Sequence, residues 1–200
     1  MSATDDVKLS ILSDHYKDTC KAITQLIKVR DRAFVLILIL LGVMAFQFVS
    51  PQQSESLLTE LAKKQLGIDA NPSITIIGSL LWFSLLAVAL RYFQTTVNLE
   101  KQYKYVHKLE DGLSSHYQSG VPFTREGKSY LQSYPTLLKW LHLVYRFIFP
   151  ILLTVATIVK LMAEWQAKGQ VLPALLFDTI IFVLLAISTF FYVLNIYFKK

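Results

Sequence analysis

Cysteine occurs once in this chain, at Cys20, so no intrachain disulfide can form and no thiol-based zinc site is available. A small packing residue is the simpler reading of Cys20, ahead of a reactive thiol. Charge is also scarce, at 17% of residues against 54% hydrophobic, where soluble domains carry about 25% charged and about 45–50% apolar residues. The usual signs of catalysis are missing too. His15, His107, His116 and His142 lie far apart and lack acidic or thiol partners at metal-ligand spacing, which argues against a metal site. No serine sits in a nucleophile-elbow motif. Gly127-Lys128-Ser129 has the tail of a phosphate-binding loop, but Pro122 stands where its first glycine belongs and no strand precedes it. No enzyme, metal or cofactor is therefore expected. No internal repeat or low-complexity stretch is apparent.

What the chain does contain is four long apolar stretches almost free of charge, each long enough to cross about 30 Å of hydrocarbon as a helix. The first is Ala33 to Ser50. About 30 polar or amphipathic residues precede it, the wrong layout for a cleavable signal peptide, so a retained span is expected. The second, Ile74 to Leu90, follows the helix-start signal Asn71-Pro72-Ser73 and ends on Arg91. The third runs from Phe147 to Trp165, with Pro150 tolerable near its first turn, and the fourth from Leu172 to Tyr197, with Pro173 at its start and Lys199-Lys200 closing it.

Basic residues set the expected orientation. Lys8, Lys17, Lys21, Lys28, Arg30 and Arg32 precede the first span, and a second basic group from Arg91 to Lys139 lies between the second and third. The remaining loops hold only Lys63, Lys64 and Lys168. The positive-inside rule then puts both termini and the middle segment in the cytoplasm. Trp140, Tyr145 and Trp165 fit as interfacial anchors. The expected class is all-α, with four transmembrane helices as two hairpins and amphipathic cytoplasmic helices extending from them. The chain divides into an amphipathic helix (1–32), a first hairpin with a short outer helix (33–91), a basic helical segment (92–140) and a second hairpin (141–200).

In the N-terminal segment Leu9, Leu12, Tyr16, Ile23 and Leu26 recur at helical spacing, starting near Thr4-Asp5-Asp6 and running towards span one as a rigid lever. After span two, Leu99, Val106, Leu109 and Leu113 form a second stripe with Tyr103 beside it, while Lys101, Lys104, Lys108, Glu100, Glu110 and Asp111 are assigned to the polar face. These stripes are expected to pack on each other, on the segment from Thr124 to Leu138, or on neighbouring copies. Ser119 to Pro122 reads as a turn, and Ser54 to Gln65 as a short helix stopped at Gly67.

Two groups of residues are candidate sites. Ionisable groups inside a span are costly and face a partner or water, which singles out Lys160 and Asp178. Lys160 lies about five residues from the end of span three and Asp178 about six residues into span four, so a hairpin brings them to similar depth. A structural ion pair or a snorkelling lysine is the plain reading, and the polar lining of a pore, together with Gln47, Ser79 and Ser84, the functional one. The second group is the basic middle segment. Its plain reading is a topological signal attracted to anionic lipid. The alternative is an anion-contact surface of Lys101, Lys104, Lys108, Arg125 and Lys128, interleaved with Tyr103, Tyr105, His107 and Tyr130, suited to a nucleotide or oligonucleotide.

The stretch NLEKQYKYVHKLEDGLSS, followed by FTREGKSYLQSYP between two membrane hairpins, resembles small four-span proteins of bacterial anti-phage defence. The nearest types are the pore-forming effector of Hailong-type defence and the membrane subunit of Kiwa. The resemblance covers Asn98 to Pro135 by residue pattern and the rest by layout, and carries over no functional residue. It implies a defence role in the bacterial inner membrane, a homotetramer, and control by short DNA oligomers. The expected function is an oligomeric ion-conducting effector gated through its basic cytoplasmic helices by an anionic ligand. The alternative is a non-conducting sensor or anchor recruiting a soluble partner through the stripe Leu99, Val106, Leu109 and Leu113. A transporter is a weaker expectation, because neither inverted repeats nor broken helices with central ion ligands are visible.

Overall fold

The computed structural model describes residues 3–66, 74–114, 136–167 and 171–198. Among these every regular element is helical: α1 (Ala3–Val49), α2 (Pro51–Leu66), α3 (Ile74–Ser114), α4 (Thr136–Leu143), a π-turn (Val144–Ile148), α5 (Phe149–Gln166) and α6 (Leu172–Phe198). Four helical segments are long and apolar enough to cross a membrane. That is the signature of a multi-pass membrane protein.

The breaks between helices have local causes. Helical bonds run from Ser50 N–H to the Phe46 carbonyl and from Ser54 N–H to the Ser50 carbonyl, both at 2.9 Å. Pro51 between them has no N–H to give, so the ladder is interrupted there and α1 ends. Proline is well placed in the first turn of α2, and the Ser54 hydroxyl donates to its carbonyl at 2.8 Å. This start lies three residues ahead of the expected Ser54. Pro150 has a similar effect on the helical run 136–166. Its ring would collide with the Arg146 carbonyl in an α-helix, and widening Val144–Ile148 to π geometry relieves the clash. The expected turn at Ser119 to Pro122 and the stop at Gly67 lie outside the described residues.

The chain forms two compact units, one from residues 1–31 and 94–146 and the other from 32–93 and 147–200. In the first, Ile23 of α1 packs with Leu99 and Val106 of α3, and Tyr16, Leu26, Ile27 and Tyr103 close around them. The two amphipathic stripes thus bury each other. Leu109 and Leu113 are buried as well. Glu110 corrects the expected polar face: it is 3% exposed and accepts a hydrogen bond from the Tyr16 hydroxyl at 3.3 Å. It lies between Val106 and Leu113 on the helix surface, four residues from one and three from the other, so the stripe carries it inward. Glu100 is paired with Arg146 at 3.2 Å, and the Arg30 guanidinium sits 5.2 Å from the centre of the Tyr145 ring.

The second unit holds the four apolar segments. Each turns one stripe inward, for example Ile37 and Met44 of α1 or Trp82, Leu85 and Ala89 of α3. Aromatic pairs tie the helices together. Phe149 meets Phe34 at 4.5 Å and Tyr92 at 5.1 Å, and Phe93 stacks on Tyr192 at 4.6 Å. α5 and α6 pack side by side, with Trp165 Nε1 donating to Thr179 Oγ1 at 3.2 Å. The outward faces are equally apolar: Leu38 and Ile39, Ile151 and Leu152, Phe190 and Phe191 are all exposed. Contiguous apolar surface of this kind marks contact with a membrane or with other protein surfaces.

Candidate functional site

Hydroxyl groups inside the second unit mostly satisfy themselves. Thr157 Oγ1 donates to the carbonyl of Leu153 at 2.9 Å, and Thr189 Oγ1 to that of Leu185 at 2.9 Å, the back-bonding open to threonine in any helix. The polar groups that cannot do this converge from four helices on a cavity of about 490 Å³. Gln47 of α1, Gly78 of α3, Lys160 and Glu164 of α5, and Asp178 of α6 line it.

Each side chain arrives by helix periodicity. Lys160 and Glu164 are four residues apart and so share a face of α5, where Lys160 Nζ meets Glu164 Oε1 at 3.1 Å. Trp82 of α3, fully buried, donates its indole N–H to both oxygens of Glu164, at 3.1 Å and 3.0 Å. Glu164 is thus neutralised and hydrogen-bonded, the condition under which a buried carboxylate is tolerated. Asp178 is different. It is 5% exposed, and its Oδ1 has no hydrogen-bond partner. Gln47, 7% exposed, has an unpartnered Nε2, and Ser79 Oγ is likewise buried and unpartnered.

The expected pairing of Lys160 with Asp178 is therefore corrected. The two line one cavity, but the lysine's ion-pair partner is Glu164, four residues along the same helix. Gln47, Lys160 and Asp178 are brought together. Sequence pattern alone does not single out Trp82 or Glu164. The spacing of Glu164 from Lys160 is a usable signal, whereas nothing in local spacing links Trp82 to a residue 82 positions away.

In the first unit Lys101, Lys104 and Lys108 are exposed, three and four residues apart on one face of α3, away from buried Leu99, Val106 and Leu109. Arg125 and Lys128 lie outside the described residues. Burial of Leu99, Val106, Leu109 and Leu113 also corrects the idea of a free recruiting stripe, since these side chains already fill the core of the unit. Among the described residues no group of histidine, cysteine, aspartate and glutamate is arranged to hold a metal ion.

No family model, no curated protein and no solved structure matches this chain.

Proposed function

We propose that this protein is an ion-conducting membrane effector, assembled from several copies in a bacterial inner membrane and acting in anti-phage defence. The observation that carries the reading is the cavity between Gln47, Lys160, Glu164 and Asp178, set in helices whose outward faces are apolar. Buried polar atoms without partners are costly, and a water-filled ion path is one way to satisfy them. One copy of four spans has too few walls for a channel, which favours a homo-oligomer, with a tetramer as the working number. The exposed row Lys101, Lys104 and Lys108 is the proposed contact for an anionic ligand such as a short oligonucleotide, with both termini and this row on the cytoplasmic side.

The competing reading, a non-conducting anchor for a soluble partner, loses the surface it relied on, because the Leu99 to Leu113 stripe is buried. Conductance of the purified protein in planar bilayers, with and without short single-stranded DNA, tests the proposal. Discrete currents that the DNA triggers or suppresses support it. Silence across voltages and ligands rejects conduction.

A further inference from the structure

The cavity has a definite charge and a definite set of unused groups. Among the described residues Lys160, Glu164 and Asp178 are the ionisable ones that line it, and α1 and α3 add neutral groups such as Gln47 and Thr75. With all three ionised, one negative charge is left over. It does not belong to Glu164, whose oxygens are taken by Lys160 at 3.1 Å and by Trp82 at 3.1 Å and 3.0 Å. It belongs to Asp178, which lines the cavity and whose buried Oδ1 has no hydrogen-bond partner. Gln47 lines the cavity too, and its Nε2 is buried without a hydrogen-bond partner.

We infer that the cavity is a binding site for a hydrated monovalent cation, held by the Asp178 carboxylate. The charge balance selects a single positive charge. The excess is one unit, so a monovalent ion restores neutrality where a divalent one would leave net positive charge in a low-dielectric interior. The volume of about 490 Å³ exceeds a bare ion many times over, since a liquid water occupies about 30 Å³, so the ion enters with hydration or as an organic ammonium. Gly78 leaves that space open: a Cβ built there meets nothing within 4 Å.

The role of the site in permeation rests on the conduction reading above, but binding can be measured without any current. The full-length protein in detergent micelles is heated in sodium, potassium, choline or magnesium chloride at constant ionic strength. Saturable stabilisation by a monovalent cation is expected, with sodium and potassium against choline separating a metal ion from an organic ammonium. Asp178→Asn should raise the half-saturating concentration at least tenfold. Gly78→Leu, which fills the cavity while improving helix propensity, should do the same without lowering the starting melting temperature. Lys8→Gln, at an exposed position near the start of α1, should change nothing. Stronger stabilisation by magnesium, no stabilisation by any monovalent cation, or an unchanged response in both cavity variants would overturn the site. Planar-bilayer recordings on the same preparation separate the two ideas. Saturable stabilisation without current keeps the site and removes conduction, while current without cation-specific stabilisation does the reverse.

Discussion

Trp82 Nε1 donates to both carboxylate oxygens of Glu164, at 3.1 Å and 3.0 Å, and so ties α3 to α5 inside the apolar unit. A charged acceptor in a buried setting makes this a strong bond, and losing its donor leaves a carboxylate partly unsatisfied. Trp82→Phe keeps an aromatic ring but not the N–H. Thermal unfolding in detergent should show a loss of about 1–3 kcal/mol, and combining it with Glu164→Gln should give less than the sum of the two single effects. Strict additivity would mean that the bond contributes little.

Lys160 and Glu164 form a pair whose members cannot be removed singly without penalty. Lys160→Met strands Glu164 and should destabilise by about 3–5 kcal/mol. Adding Glu164→Gln removes the stranded charge and leaves an acceptor for Trp82, so the double variant should recover most of the loss. Denaturation curves of the two variants decide the matter.

The first unit depends on a small core. Leu99, packed against Ile23 and Val106, should cost about 2–5 kcal/mol when changed to alanine, whereas exposed Tyr105→Ala should stay within about 0.5 kcal/mol. Limited proteolysis is a suitable readout, with faster cleavage between residues 1 and 31 expected for the first variant alone.

Tyr16 adds a pH signature at the same place. Burial first, then the charges and hydrogen bonds of Cys20 and Glu110, push its hydroxyl well above the ordinary tyrosine value of 10.0. A folded-state value raised above the unfolded one gives stability that is complete below pH 10 and declines as pH rises above it. Alkaline melting curves should therefore fall less steeply for Tyr16→Phe. Identical slopes in the two proteins would remove Tyr16 as a contributor.

The exposed lysine row is the part of the proposal most open to direct attack. Changing Lys101, Lys104 and Lys108 together to glutamate should weaken binding of short single-stranded DNA. Its dependence on salt should also flatten, by about 0.7 in log–log slope for each phosphate that is no longer neutralised. Fluorescence anisotropy at several salt concentrations reads both quantities. A slope unchanged from the parent protein would move the anion-binding surface elsewhere.

The all-helical class and the four spans were legible in the order of residues because the length of an apolar run is a local property, and so were both amphipathic stripes, whose spacing is set by 3.6 residues per turn. Pro51 and Pro150 also act locally, through a missing N–H and a ring clash. The partners of the charged groups were not legible in this way. Whether Lys160 faces Glu164 or Asp178, and whether Glu110 is solvated or buried under Tyr16, depends on how each helix is rotated against its neighbours. That rotation is a compromise among many packed side chains from distant parts of the chain. By itself the sequence determined that there are apolar helices and which residues are costly within them. Only tertiary packing decided that Trp82 and Lys160 satisfy Glu164 and leave Asp178 as the carboxylate with an open oxygen.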